Sequence, residues 1–170
     1  MRTVISTLLC AVALLAADTV RRAPGFSLPD LKAVQHDLAD SRGKVVVLEF
    51  MQTTCPHCAV FAAALDKVQQ KYGSKVEILA IANPPDGPGT VAEYISGHKI
   101  TYPILFDCGQ VAYSYLQVMR FDLPQVYVID AKGAIQRHFE YGPLTRDIFE
   151  GDALLTEIDR VIGVTAAPKK

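Results

Sequence analysis

The feature that most narrows what this chain can fold into is a buried-strand run leading straight to a cysteine pair at the head of a helical run. Val45-Val46-Val47-Leu48-Glu49-Phe50 is almost continuously apolar and rich in β-branched residues. Such a stretch reads as a strand covered on both faces. Cys55-Pro56-His57-Cys58 follows, and then Val60, Phe61, Ala64, Leu65, Val68 and Tyr72 recur at helical spacing up to Gly73. Pro56 suits the first turn of that helix, where a missing N–H costs nothing.

The rest of the chain alternates in the same way. Val76 to Ala82 is a second buried strand, and residues 83–89 form a loop rich in Pro and Gly. The pattern predicts a short helix over Val91 to His98, a short strand over Pro103 to Phe106 and a helix over Val111 to Leu116. Val126 to Ile129 is a strand after Pro124, and Ala131-Lys132-Gly133 turns it into a hairpin with Ala134 to Phe139. Leu154, Leu155, Ile158 and Ile162 mark a final amphipathic helix. Upstream, Phe26, Leu28 and Leu31 lie in short extended pieces around Pro29-Asp30. The order predicts an α/β fold, with a central mixed β-sheet flanked by helices on both faces and an N-terminal extension. A length of 170 residues, half of them apolar, supports one such domain.

The N-terminus differs. After Met1-Arg2, the stretch from Thr3 to Ala17 carries no charge, and Ala16-Ala17 supplies small residues for cleavage. This is the pattern of a secretory signal peptide. The expected boundaries are a signal segment over 1–17, serving as a membrane tether if uncleaved, a domain over 18–165 and a frayed tail over 166–170. Leu9 is too bulky for Cys10 to be a lipidation site. The net charge of −1 gives no reason to expect a nucleic-acid partner. No G-x-G-x-x-G or P-loop run is present, so no nucleotide or other cofactor is expected.

Past residue 17 three cysteines remain: Cys55, Cys58 and Cys108. A structural disulfide framework normally has an even set at wider spacing, so redox chemistry fits this count better. At a helix N-terminus the Cys55 sulfur meets unpaired N–H groups and the positive end of the helix dipole, both favouring thiolate. Thiolate is the attacking form, which makes Cys55 the nucleophile. Cys58, one turn on, is placed to attack the mixed disulfide and close the Cys55–Cys58 bond. His57 either faces solvent only or, partly protonated, stabilises the thiolate and makes the disulfide more oxidising; the second role is the expectation. Structural zinc would need four ligands, and neither a second C-x-x-C nor an H-x₃₋₅-H run exists, so no metal is expected.

Glu49 to Cys58, together with Leu123-Pro124-Gln125-Val126-Tyr127-Val128-Ile129-Asp130-Ala131-Lys132-Gly133, resembles the thioredoxin-like TlpA/ResA group of the redoxin/AhpC-TSA superfamily. The opening Ala23 to Leu31 and Gly43-Lys44 fit the same group, so the likeness spans roughly residues 23–163. The resemblance implies a thioredoxin-like fold and an exported thiol–disulfide oxidoreductase. It implies that Pro124 follows a cis bond beside the cysteines, although an ordinary trans proline is also permitted at a strand start. Leu123 then exposes its backbone to a substrate strand, with Pro56 and Thr54 as neighbouring contacts. Glu49 matches the group's buried acid, a proton acceptor for Cys58 whose pKa burial raises; the alternative is a solvent-facing Glu at a strand end.

Two departures leave the direction of electron flow open. Thr54 stands where the group usually has tryptophan, and Pro56-His57 resembles the dipeptide of the strong oxidant DsbA. The expected partners are cysteine-containing exported proteins and a redox partner that recycles the disulfide. A thiol peroxidase is the nearest rival, but Leu48 and Gln52 replace the Pro and Thr of its P-x-x-x-T-x-x-C pattern. A copper-delivery protein is a second rival, though those resembling this chain use C-x₃-C spacing. Cys108 is either a third redox thiol or a free buried cysteine.

Overall fold

The computed structural model describes residues 21–163, so the expected signal segment and frayed tail lie outside the described residues. Two short strands, β1 (Ser27–Pro29) and β2 (Gln35–Asp37), form an antiparallel ribbon ahead of the main sheet. Then follow β3 (Val45–Met51), α1 (Pro56–Tyr72), β4 (Val76–Ala82), α2 (Pro88–His98), β5 (Ile104–Phe106) and α3 (Gln110–Leu116). The chain ends with β6 (Gln125–Ile129), β7 (Ile135–Glu140), α4 (Arg146–Glu150) and α5 (Ala153–Ile162).

The five main strands lie in the order β5-β4-β3-β6-β7. β3 is parallel to β4, in register from Val45 opposite Val76 to Met51 opposite Ala82, and antiparallel to β6. β4 and β5 are parallel and β6 and β7 antiparallel, so the sheet is mixed. Its central place explains the sequence of β3: every residue from Val45 to Met51 is buried.

Alternation along β3 divides the core into two layers. Val45, Val47 and Met51 meet Phe61, Leu65 and Val68 of α1 and Leu154 and Ile158 of α5. Val46, Leu48 and Phe50 face the opposite layer with Tyr115 of α3 and Tyr127 of β6. There Phe50, Tyr115 and Tyr127 pack edge to face, with ring centroids 5.0–6.1 Å apart. Phe61 is fully buried, and truncating such a ring to alanine costs about 3–5 kcal/mol.

Most expected elements are present, within a few residues. α2 starts at Pro88 rather than Val91 because Pro88 occupies the first turn and the Thr90 hydroxyl accepts from the Gly87 N–H at 3.1 Å. Two elements have no counterpart in the periodicity. β2 is Gln35-His36-Asp37, with no buried residue, and α4 has only five residues. The β6–β7 turn holds Gly133 at φ 79°, a left-handed backbone that favours glycine. Among the described residues no helix is long and apolar enough to cross a membrane.

Candidate active site

β3 ends at Met51, at the C-terminal end of the central strand, and a short loop carries the chain into α1. Polar anchors from the segment after β4 hold that loop. Thr53 donates its N–H and its hydroxyl to Asp86, and the Gln52 amide donates to Pro84 O. The Cys55 N–H closes back on Gln52 O at 3.1 Å. Asn83 is buried and donates to Met51 O and Ile81 O at 3.3 and 3.2 Å, pinning the ends of β3 and β4 together. Sequence reasoning missed Asp86 and Asn83. The only signal was a polar residue on either side of Pro84-Pro85, which read as loop punctuation.

Cys55 is the N-cap of α1, and its sulfur accepts from the Cys58 N–H at 3.1 Å. Pro56 stands in the first turn, as anticipated. The Cys55 and Cys58 sulfurs lie side by side, with Cα atoms 5.3 Å apart. The pair is asymmetric: Cys55 is half-buried, whereas Cys58 is 1% exposed. Pro56 and Thr54 are exposed beside it. An accessible sulfur at a helix N-terminus and a shielded one a turn later is the arrangement dithiol exchange needs.

Glu49 is 2% exposed, not a solvent-facing residue at a strand end. It lies opposite Ala80 and Val126, on the face of β3 that packs with α1 and Cys58. Its Oε1 is buried and, among the described residues, has no hydrogen-bond partner. Burial pushes its carboxyl up to about 8. Tyr94 and Tyr102 belong to the same layer; burial first, and the Glu49 charge second, hold their phenols far above the usual range.

The Leu123–Pro124 bond is cis. Pro124 is buried, while Leu123 is half-buried and touches both core layers. Among the described residues no hydrogen bond engages the Leu123 N–H or C=O. Behind it, Gln125 donates to Asp122 O at 2.8 Å and bonds His138 at 2.7 Å. Leu123 also borders a cavity of about 400 Å³ lined by Gln52, Asn83, Cys108, Tyr113 and Met119. Met119 is 82% exposed at its rim. Cys108 is free and exposed, which corrects the buried alternative: it precedes α3 at the surface, where the Asp107 carboxylate caps the helix.

His57 is half-buried and stacks on Tyr141. It therefore does not simply face solvent. Among the described residues no group of three or more His, Cys, Asp or Glu side chains is placed to hold a metal ion.

Comparison with known proteins agrees with this geometry. The chain is 31% identical over 132 residues to the thioredoxin-like protein YneN of Bacillus subtilis, covering 76% of this chain and 75% of that one. It is 31% identical over 129 residues to the thiol-disulfide oxidoreductase ResA of Geobacillus kaustophilus, covering 75% of this chain and 72% of the relative. A solved thiol-disulfide oxidoreductase from Bacteroides fragilis superposes with a TM-score of 0.66 at 20% identity, over 82% of this chain and 98% of the other, a likeness of fold. The AhpC/TSA family matches residues 20–138. With that match spanning most of the chain, on a thioredoxin-like sheet that carries a cysteine pair at the head of α1, this protein belongs to the AhpC/TSA family.

Proposed function

We propose that this chain is an exported thiol–disulfide oxidoreductase that exchanges electrons with cysteine-containing proteins through Cys55 and Cys58. One observation carries the reading: a half-buried cysteine at the N-cap of α1 whose sulfur lies beside that of a buried cysteine one turn later.

In the reducing direction the Cys55 thiolate attacks a partner disulfide. The partner's S–S bond breaks, one of its sulfurs leaves as thiolate, and a mixed disulfide joins Cys55 to the other. Cys58 then gives up its proton and attacks Cys55, forming the Cys55–Cys58 bond and releasing the partner as a dithiol. Two electrons have moved to the partner, and the reverse sequence oxidises it. The helix N-terminus stabilises the Cys55 thiolate before it attacks and, in the reverse direction, as the leaving group.

Glu49 is the acceptor for the Cys58 proton. Its carboxyl, raised to about 8 by burial, titrates near working pH, where a general base is most effective. Leu123 offers an unpaired backbone edge to the partner's strand, with Thr54 and Pro56 beside it. The uncharged stretch from Thr3 to Ala17 supports export, with that segment a cleaved signal or a tether. A second protein recycles the disulfide.

The test is a pair of variants. Cys55→Ser abolishes reduction of insulin disulfides, and Cys58→Ser accumulates mixed disulfides on Cys55. Full activity in Cys55→Ser would end the reading.

A further inference from the structure

His57 does not project freely from the head of α1. Its imidazole lies face to face with the Tyr141 ring, centroids 3.8 Å apart and planes within 18°. Tyr141 directly follows β7 and is itself held on two sides. Its hydroxyl donates to Glu150 Oε1 at 2.7 Å, and its edge meets the Phe149 ring at 5.4 Å. Arg146 Nε donates to the other Glu150 oxygen at 2.6 Å. Phe149 is fully buried and packs on Phe61 of α1 at 5.1 Å. The loop between is closed by Thr145, whose hydroxyl donates to Glu140 O at 2.5 Å.

An unbraced imidazole at the second position of a helix would sample several rotamers. Here one side chain confines it, and that side chain is anchored to α4. A cation within about 6 Å of a tyrosine ring centroid is attracted by the ring's quadrupole, and Tyr141 presents its face to His57 at 3.8 Å. The Glu150 carboxylate accepts from the Tyr141 hydroxyl and so fixes the ring that faces His57.

We infer that Tyr141, braced by Glu150, is a positioning residue that holds the His57 ring at the mouth of the redox pair and so favours the dithiol form at equilibrium. The inference rests on the redox reading above. It names side chains outside the cysteine motif that set how oxidising the couple is.

The test is equilibration of the full chain with glutathione. Two glutathione thiols give up two electrons and two protons and join as glutathione disulfide, while the Cys55–Cys58 bond breaks to two thiols. Tyr141→Ala lowers the equilibrium constant for this reduction about threefold. That factor makes the couple about 14 mV more reducing at 29.6 mV per tenfold. Tyr141→Phe keeps the ring and retains most of the constant. Glu150→Ala leaves the Phe149 packing in place and lowers the constant in the same direction. In a His57→Ala background neither alanine change has an effect. An unmoved constant in both alanine variants, or the same shift without His57, overturns the role of Tyr141. A wild-type chain with no glutathione-dependent couple overturns the redox reading itself.

Discussion

Thr53 gives both its backbone N–H and its hydroxyl to the carboxylate of Asp86, at 2.6 and 2.5 Å, across 33 residues of sequence. A third hydrogen bond to Asp86, from the Thr90 hydroxyl at 3.2 Å, ties the same carboxylate to the first turn of α2. The loop that delivers Cys55 is therefore fixed by the segment after β4 and not by its own residues alone.

Asp86→Ala is expected to lose about 2 kcal/mol of stability, because three hydrogen bonds to a charged acceptor go at once. Urea unfolding measures this. The same variant should slow insulin reduction, since Cys55 is then less firmly placed. A midpoint equal to wild type would show that Asp86 does not brace the loop.

Ionising Glu49 costs the folded state, because burial raises its pKa from 4.5 to about 8 while the unfolded chain has no such shift. The folded form binds the proton more tightly, so this contribution is full below pH 4.5 and is lost as pH rises towards 8. Glu49→Gln has no proton to lose. Relative to wild type it should gain unfolding free energy between pH 5 and 9, by something on the order of 5 kcal/mol. Denaturant titrations at a series of pH values check the sign. The same variant should resolve mixed disulfides more slowly, because Cys58 loses its proton acceptor.

Cys108 is exposed and unpaired. In the oxidised, folded protein iodoacetamide should label the peptide carrying Cys108 and spare those carrying Cys55 and Cys58. After mild reduction Cys55 should react before the buried Cys58. Peptide mass mapping reads both results, and an unlabelled Cys108 in the folded protein would contradict the surface placement.

What was legible in the sequence had a local signature. The almost continuous apolar run of β3 announced a central strand, and helical spacing after Cys58 announced α1. Pro56 and Pro124 stood out because proline restricts the backbone wherever it sits. Glu49 stood out as a carboxylate inside an apolar run, and burial is its fate. The bracing of the site had no such mark. Asp86 sits in a loop rich in Pro and Gly, and nothing nearby points to Thr53. Tyr141 and His57 meet only because β7 and α4 fold back beside the head of α1. A five-residue helix such as α4 is too short to show a period, although it supplies both Glu150 and Phe149. Long-range polar and aromatic contacts depend on tertiary placement, which spacing along the chain does not encode.

The most direct measurement is a redox titration of the folded chain across a series of glutathione to glutathione disulfide ratios, with free thiols counted at each point. A single reversible two-electron transition that gains two thiols, and is lost in Cys55→Ser, is what the account predicts. A thiol count that stays constant across the whole series would contradict it.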